Sequence, residues 1–471
     1  MITTSDDATK AVFETYDKFE KGTGSKLNLS KCEGLWLGSW RHRTDAPVPI
    51  TWTSVKIKVL GIVLGPGQID DLNWAPRLEA VGKCLDSWRS LSLSFGGKAL
   101  VSNALALSRV WYVASLVHMP SCFVRSINSL VFNFFWSGKR DLVARNVVFQ
   151  SRVNGGFSVV STELKVQSLL IHWIKRFASS PSGWVDLMTY WFLARFNAPP
   201  LEVFSRPFDF DPEVLPPFYC ALLKAWRAIG GSGSGTGLVV AASSGHPLSI
   251  DSCTCKCCYD LLLSMRPCVP HCVGKFRASY PNLDWLSTWR SLFFLPLDRQ
   301  VIDLNWKIAH GVLYTAERLI SFGYAYNPSC FCGFHIESLE HLFFSCPLAQ
   351  SGIAWIQSIL FRASPLAPSI EARHLIFGFS TDDFMCIPRV FAYVLNVCKY
   401  FIWVQRNDFR FCGKPPSALG LLACIKSRVR FYLPLFYKRF ISSRRRRFFG
   451  RQWGANGAVG VVSNGVFTIA L

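Results

Sequence analysis

The sequence predicts a mainly α fold with a small β element at the N-terminus. Three observations carry that prediction. From Trp74 onward, apolar residues recur every three or four positions, beginning with Trp74, Leu78, Val81, Leu85 and Trp88. Strand-like alternation is clearest near the N-terminus, where Val55, Ile57 and Val59 face one way and Lys56 and Lys58 the other. Half of the 471 residues are hydrophobic and 14% are aromatic, which supplies enough apolar side chain for a real core and argues against global disorder.

Taken in order, residues 7–21 read as an amphipathic helix with Val12, Tyr16 and Phe19 on one side, capped by Asp6 or Asp7 and ended by Gly22-Thr23-Gly24. Leu35-Trp36-Leu37 and Val55 to Gly65 read as strands. Helical patterns follow from Trp74 and at about 97–116, 121–136 and 163–178, which predicts a compact helical bundle. Residues 230–237, GGSGSGTG, have the composition of a flexible linker. Further helices are expected around 285–294 and 301–313 and on to about 411, and the uncharged stretch Gly454–Leu471 is expected to be frayed.

Charge and cysteine content narrow the function. The net charge is +21, which calls for an anionic partner, nucleic acid before an acidic membrane surface. Between Tyr400 and Arg451 there are 13 Lys and Arg against one acid, Asp408. No run of about 18 uncharged apolar residues exists, so no membrane span is expected. The opening MITTSDDATK lacks a basic-then-apolar signal, so the 17 cysteines are expected in an intracellular setting, cytoplasm or nucleus, as thiols or metal ligands.

Cys330, Cys332, His341 and Cys346 form the pattern C-x-C-x8-H-x4-C. Three thiolates and one imidazole close a tetrahedral shell around Zn2+ and leave no open position, so this set predicts a structural zinc knuckle. Gly333 beside the pair lets the backbone fold back. A competing cluster, Cys253, Cys255, Cys257, Cys258, Cys268, His271 and Cys272, follows no defined ligand spacing.

Several stretches together resemble the reverse transcriptase of LINE-type non-LTR retrotransposons. Gly24 to Lys31 is similar to the Gly-x-Lys-x-Asn-x-x-Lys element, and Leu60-Gly61 lies in a strand similar to the primer grip. Leu93-Ser94-Phe95-Gly96-Gly97-Lys98 resembles the element that opens a thumb helix. Phe135-Trp136-Ser137-Gly138 and Gly155-Gly156-Phe157 match later signatures, and Trp289, Asn305-Trp306-Lys307 and Glu340 to Pro347 look like the family's C-terminal zinc-binding module. The resemblance implies a palm edge and primer grip over 1–67, a thumb-like helical bundle over 68–180, a connector over 181–275, a zinc-binding module over 276–411 and a basic aromatic tail over 412–471. It also implies that Lys31 lies near an incoming triphosphate.

One departure bears on activity. The family holds two Mg2+ ions with an aromatic-Ala-Asp-Asp turn and an upstream aspartate. Asp6-Asp7 follows Ser5 and stands only 22 positions before Asn28, too close for the intervening strand and helix, so it reads as a helix cap and no catalytic residue is assigned. Nucleic-acid contacts are expected from Lys31, Lys98, Lys426, Arg428, Arg430, Lys438, Arg439, Arg444, Arg445, Arg446 and Arg447. In the tail, interleaved rings such as Phe431 and Phe448 favour RNA or single-stranded DNA. The bland alternative is a solvated basic face with rings packed inward. The expected function is a truncated or degenerate reverse-transcriptase fragment that binds template-primer and zinc without polymerising. Mg2+ belongs only to an intact family member, and neither a membrane nor a small-molecule substrate is expected. Two alternatives stand beside it: the C-terminal half of an active polymerase, and a zinc-stabilised structural protein.

Overall fold

The computed structural model describes residues 3–179, 183–206, 215–234, 237–241, 246–380, 382–439 and 443–471. The described chain is mainly helical with small sheets, as expected. It divides into two units, each discontinuous in sequence: Met1–Ser87 with Ala104–Leu130 and Thr162–Leu262, and Trp88–Asn103 with Val131–Ser161 and Leu263–Leu471.

In the first unit, the N-terminal helix runs Asp6–Thr23. Ser5, not Asp6 or Asp7, caps it, because Ser5 holds the extended backbone of a cap and its hydroxyl accepts from the Ala8 amide at 3.1 Å. Asp6 instead accepts from the two terminal guanidinium nitrogens of Arg43, Nη1 and Nη2, at 2.6 and 2.5 Å. The segment expected as a single strand from Val55 to Gly65 is a hairpin, Ile57–Val59 against Ile62–Leu64. Leu60 and Gly61 both take positive φ, 48° and 85°, which turns the chain back on itself. Glu33–Leu35 pairs in parallel with Thr51–Thr53. Trp74 is fully buried in the helix Asp70–Ser87 and donates from its indole to the His118 carbonyl at 2.9 Å.

The Gly/Ser stretch is not wholly a flexible coil. Ser232–Ser234 pairs antiparallel with Gly237–Val240, although residues 235–236 lie outside the described set. Glycine is needed here for close approach. A Cβ on Gly231 would sit 2.2 Å from the Trp226 ring, and one on Gly233 would sit 2.4 Å from Ser205.

In the second unit, the sequence signatures become packing devices. Ser94 caps the helix Phe95–Val101 by accepting from the Gly97 amide at 3.1 Å. Phe95 packs against Phe135, Trp136, Phe157 and Trp306, with ring centroids 5.2 to 5.6 Å away. The Gly155-Gly156 pair lets the chain pass under Trp289, because a Cβ on Gly155 would lie 2.9 Å from that ring. The Trp306 indole donates to the Gly155 carbonyl at 2.8 Å. The long helix Arg389–Cys412 is buried over most of its first half and packs against Arg299–Ala309, Pro347–Ala363 and Ala418–Tyr437.

The end of the chain is folded, contrary to the expected fraying. Gly460–Ser463 pairs with Val466–Ile469 through Asn464-Gly465, whose φ values of 49° and 75° suit a two-residue turn. Phe467 is buried against Tyr437 and Phe449. The hairpin holds because it covers an aromatic face that would otherwise meet water.

Lys399 is fully buried in this core, and its ammonium has no hydrogen-bond partner among the described residues. Burial pushes its pKa down to about 7. The unfolded chain therefore binds more protons than the folded one between pH 7 and the ordinary lysine value, and stability rises with pH across that window. Lys399→Met is expected to stabilise the protein by about 1–4 kcal/mol at pH 7 and to flatten that rise. Denaturant midpoints of the two proteins at pH 7 and pH 9.5 would check it; an unchanged or lower midpoint at pH 7 would count against it.

Candidate metal centre

A tight turn presents the first two ligands. The Cys330 amide donates to the Phe334 carbonyl at 2.8 Å, and the Gly333 amide donates to the Cys330 carbonyl at 3.0 Å. Gly333 supplies the positive φ of 89° that this turn requires. The other two ligands come from a helical turn, His341–Ser345, and from Cys346, which caps the helix Pro347–Ala363. The Cys346 amide donates to the His341 carbonyl at 2.7 Å and so keeps the pair together.

The four ligand atoms lie within 4.8 Å of one another. Cys330 Sγ is 4.0 Å from Cys346 Sγ, and Cys332 Sγ is 3.2 Å from His341 Nε2. A tetrahedral zinc with bonds of about 2.3 Å spaces its sulfurs by roughly 3.7 Å, so the set fits Zn2+ with little rearrangement. A hydrogen bond to Cys346 and burial push the Cys330 thiol well up, and the same bond holds Cys346 below its ordinary value. Burial lowers His341, which favours the neutral imidazole a metal needs. Phe334 stacks flat on that imidazole, with centroids 4.2 Å apart and planes 8° apart. Zinc held by these four residues would tie the turn to the helix start, and its closed shell would leave no position for catalysis.

Between the second and third ligands lies a residue that sequence reasoning missed. Glu337 is fully buried. Its carboxylate accepts from Arg406 Nη2 at 2.6 Å and Nε at 3.0 Å, from Arg410 Nη2 at 3.2 Å, and from the Ala316 amide at 3.1 Å. Arg410 also binds the carbonyl of Ser329, immediately before Cys330. The ligand loop is therefore anchored to the helix Arg389–Cys412 by a buried ion cluster. The partners lie 69 and 73 positions away, so no local pattern links them.

The competing cysteines do not assemble a comparable set; among the described residues, only the Cys330 group brings together three or more candidate ligands. Cys253 and Cys258 are buried. Cys272 lies 3.7 Å from His310 Nδ1, and His310 Nε2 lies 3.0 Å from the Gly155 carbonyl. Burial pushes His310 down to about 4, so it is a neutral packing histidine here.

The basic residues occupy varied settings. Lys31 is exposed at the end of the short turn Leu29–Lys31. Lys98 donates to the Phe135 carbonyl at 3.1 Å and to Ser137 Oγ at 2.5 Å. Lys426 lies over the Trp355 ring at 5.6 Å, Arg428 pairs with Asp298, and Arg430 binds the Leu471 carbonyl. Lys438, Arg439, Arg445, Arg446 and Arg447 are exposed, while the Arg444 side chain lies outside the described residues. The tail rings mostly pack inward: Tyr437, Phe449 and Trp453 are buried, whereas Phe431 and Phe448 are exposed.

Residues 276–352 match the family described as zinc-binding in reverse transcriptase, and all four ligands fall inside that span. The chain is also 26% identical over 230 residues to the Transposon TX1 uncharacterized 149 kDa protein of Xenopus laevis. That match covers 46% of this chain and 17% of the relative, so the chain spans only a small part of the relative's length. Together these findings support the resemblance to a C-terminal region of a retrotransposon reverse transcriptase.

Proposed function

We propose that this chain is a nucleic-acid-holding part of a retrotransposon reverse transcriptase, which binds RNA or single-stranded DNA and zinc but does not polymerise by itself. The observation that carries this reading is the closed Cys3His site within the reverse-transcriptase zinc match, in a chain of net charge +21. The zinc keeps the module folded. The exposed basic residues at Lys438, Arg439 and Arg445 to Arg447 meet phosphate. The aromatic-Ala-Asp-Asp element that would hold magnesium is not in these 471 residues.

Electrophoretic binding to RNA across a salt series tests it. Affinity is expected to fall steeply as salt rises, because each phosphate contact releases counterions. Replacing Lys438, Arg439 and Arg445 to Arg447 together by Gln is expected to flatten that dependence. Salt-independent binding or no binding refutes the reading, and primer extension by the purified chain with magnesium and nucleotides refutes its second half. A second reading draws on the size of the Xenopus relative: these residues serve the polymerase of a longer protein. An in-frame aromatic-Ala-Asp-Asp upstream of Met1 in the transcript would favour it.

A further inference from the structure

In the second unit, Lys98 and Lys307 both act on one acid, Asp303. Lys98 is repelled by Lys307, Lys139 and Arg89, while Asp303 attracts it. They come from separate segments, brought together only by the fold. The Asp303 carboxylate is committed within the protein, accepting from the Phe95 amide at 3.0 Å. Burial pushes its pKa up to about 6, so it is still mainly ionised at pH 7 and supplies one negative charge beside these lysines. The Lys307 ammonium lies over the Phe95 ring at 5.1 Å. Burial lowers the pKa of both Lys98 and Lys307, and an anion bound beside them would favour their charged forms.

Asp303 and Lys307 also line a cavity of about 430 Å3, within the range of small-ligand sites. Tyr400, Trp403 and Asn407 from the helix Arg389–Cys412 form another part of its lining. The Tyr400 hydroxyl donates to Gln300 at 2.9 Å, and the Arg406 guanidinium lies 4.8 Å over the Trp403 ring, so both rings are held in place. Asn407 Oδ1 accepts from Arg406, which leaves the Asn407 amide NH2 to donate elsewhere. An aromatic wall, an amide and the Lys307 ammonium are the parts that recognise a nucleotide: a ring to stack a base, a polar group for its edge, and charge for its phosphate.

We infer that this cavity is a binding site for one nucleotide of a single-stranded nucleic acid, its base against Trp403 and its phosphate on Lys307. The inference rests on the nucleic-acid reading above and specifies a place for it distinct from the exposed residues Lys438, Arg439 and Arg445 to Arg447. It also gives the zinc loop a second consequence. Arg406, which holds Glu337 of that loop, is the residue that braces the Trp403 ring.

The test uses the full chain with zinc bound and a 12-nucleotide single-stranded RNA carrying either one central uridine or an abasic site there, flanked by abasic positions. The uridine probe is expected to bind on the order of ten-fold tighter than the fully abasic one. Trp403→Ala should erase that preference. Lys307→Gln should weaken both probes and reduce the salt slope by about 1. A 5-iodouridine version, cross-linked to the wild-type chain and mapped by mass spectrometry, needs no variant and is expected to label residues 400–407. If the wild type binds neither probe, nor longer RNA at low salt, the general reading fails and this one with it. If it binds RNA while cross-links fall only elsewhere, or folded, zinc-retaining Trp403→Ala and Lys307→Gln proteins bind both probes like wild type, this inference alone is overturned.

Discussion

Replacing Glu337 by Ala is expected to lower the stability of the unit that holds the zinc loop by about 3–5 kcal/mol, because breaking a buried ion cluster strands its remaining charges. Arg406 is only 2% exposed, and three of its short contacts are to this one carboxylate. Removing the carboxylate also frees the Ala316 amide and one of the partners of Arg410. Glu337→Gln keeps the shape and some hydrogen bonds but not the charge, so a smaller loss is expected. Urea unfolding of zinc-loaded wild type and both variants would measure this. A loss below about 1 kcal/mol for Glu337→Ala would mean that water or repacking satisfies Arg406, and the anchoring role would fall.

Stripping zinc is the second large perturbation. The four ligands join a turn to the start of Pro347–Ala363, and Cys330, Leu342, Phe343 and Cys346 all belong to the main core of that unit. Structural zinc sites contribute folding free energy outright, since the unfolded chain has no preformed site. Chelation, or the paired change Cys330→Ser with Cys346→Ser, is expected to remove several kcal/mol, on the order of 10 °C in Tm for a unit of this size. The double variant should then be insensitive to chelator. Elemental analysis finding no zinc in the wild-type protein, together with a chelator-independent Tm, would remove the metal centre. Loss of Glu337 and loss of zinc are expected to be non-additive, because both release the same loop.

Much of the architecture was legible where the signal is local. Apolar recurrence located the helices beginning at Asp70, Ser121 and Thr162 to within a few residues. The metal ligands were legible because zinc coordination restricts both residue type and spacing. Where a local signal was read too coarsely, the structure corrects it. Val55 to Gly65 alternates like one strand, but Leu60-Gly61 reverses it; Gly454–Leu471 is uncharged, yet its Asn464-Gly465 is a strong hairpin signal. Pro434 sits inside the helix Ala418–Tyr437 without ending it.

The sequence by itself determined the helical class, the Cys330, Cys332, His341 and Cys346 grouping as a candidate ligand set, and the excess of positive charge. Each of these depends on residue identity or short spacing, which a linear chain displays. Tertiary structure alone decided which charges act together. Glu337 with Arg406 and Arg410, and Asp303 with Lys98, are assembled from distant segments. The same holds for the tail, where burial rather than composition sorts Phe449 and Trp453 into the core and leaves Phe431 and Phe448 at the surface. Pairing energies and desolvation depend on distance in space and exclusion of water, and neither is set until the helices have packed.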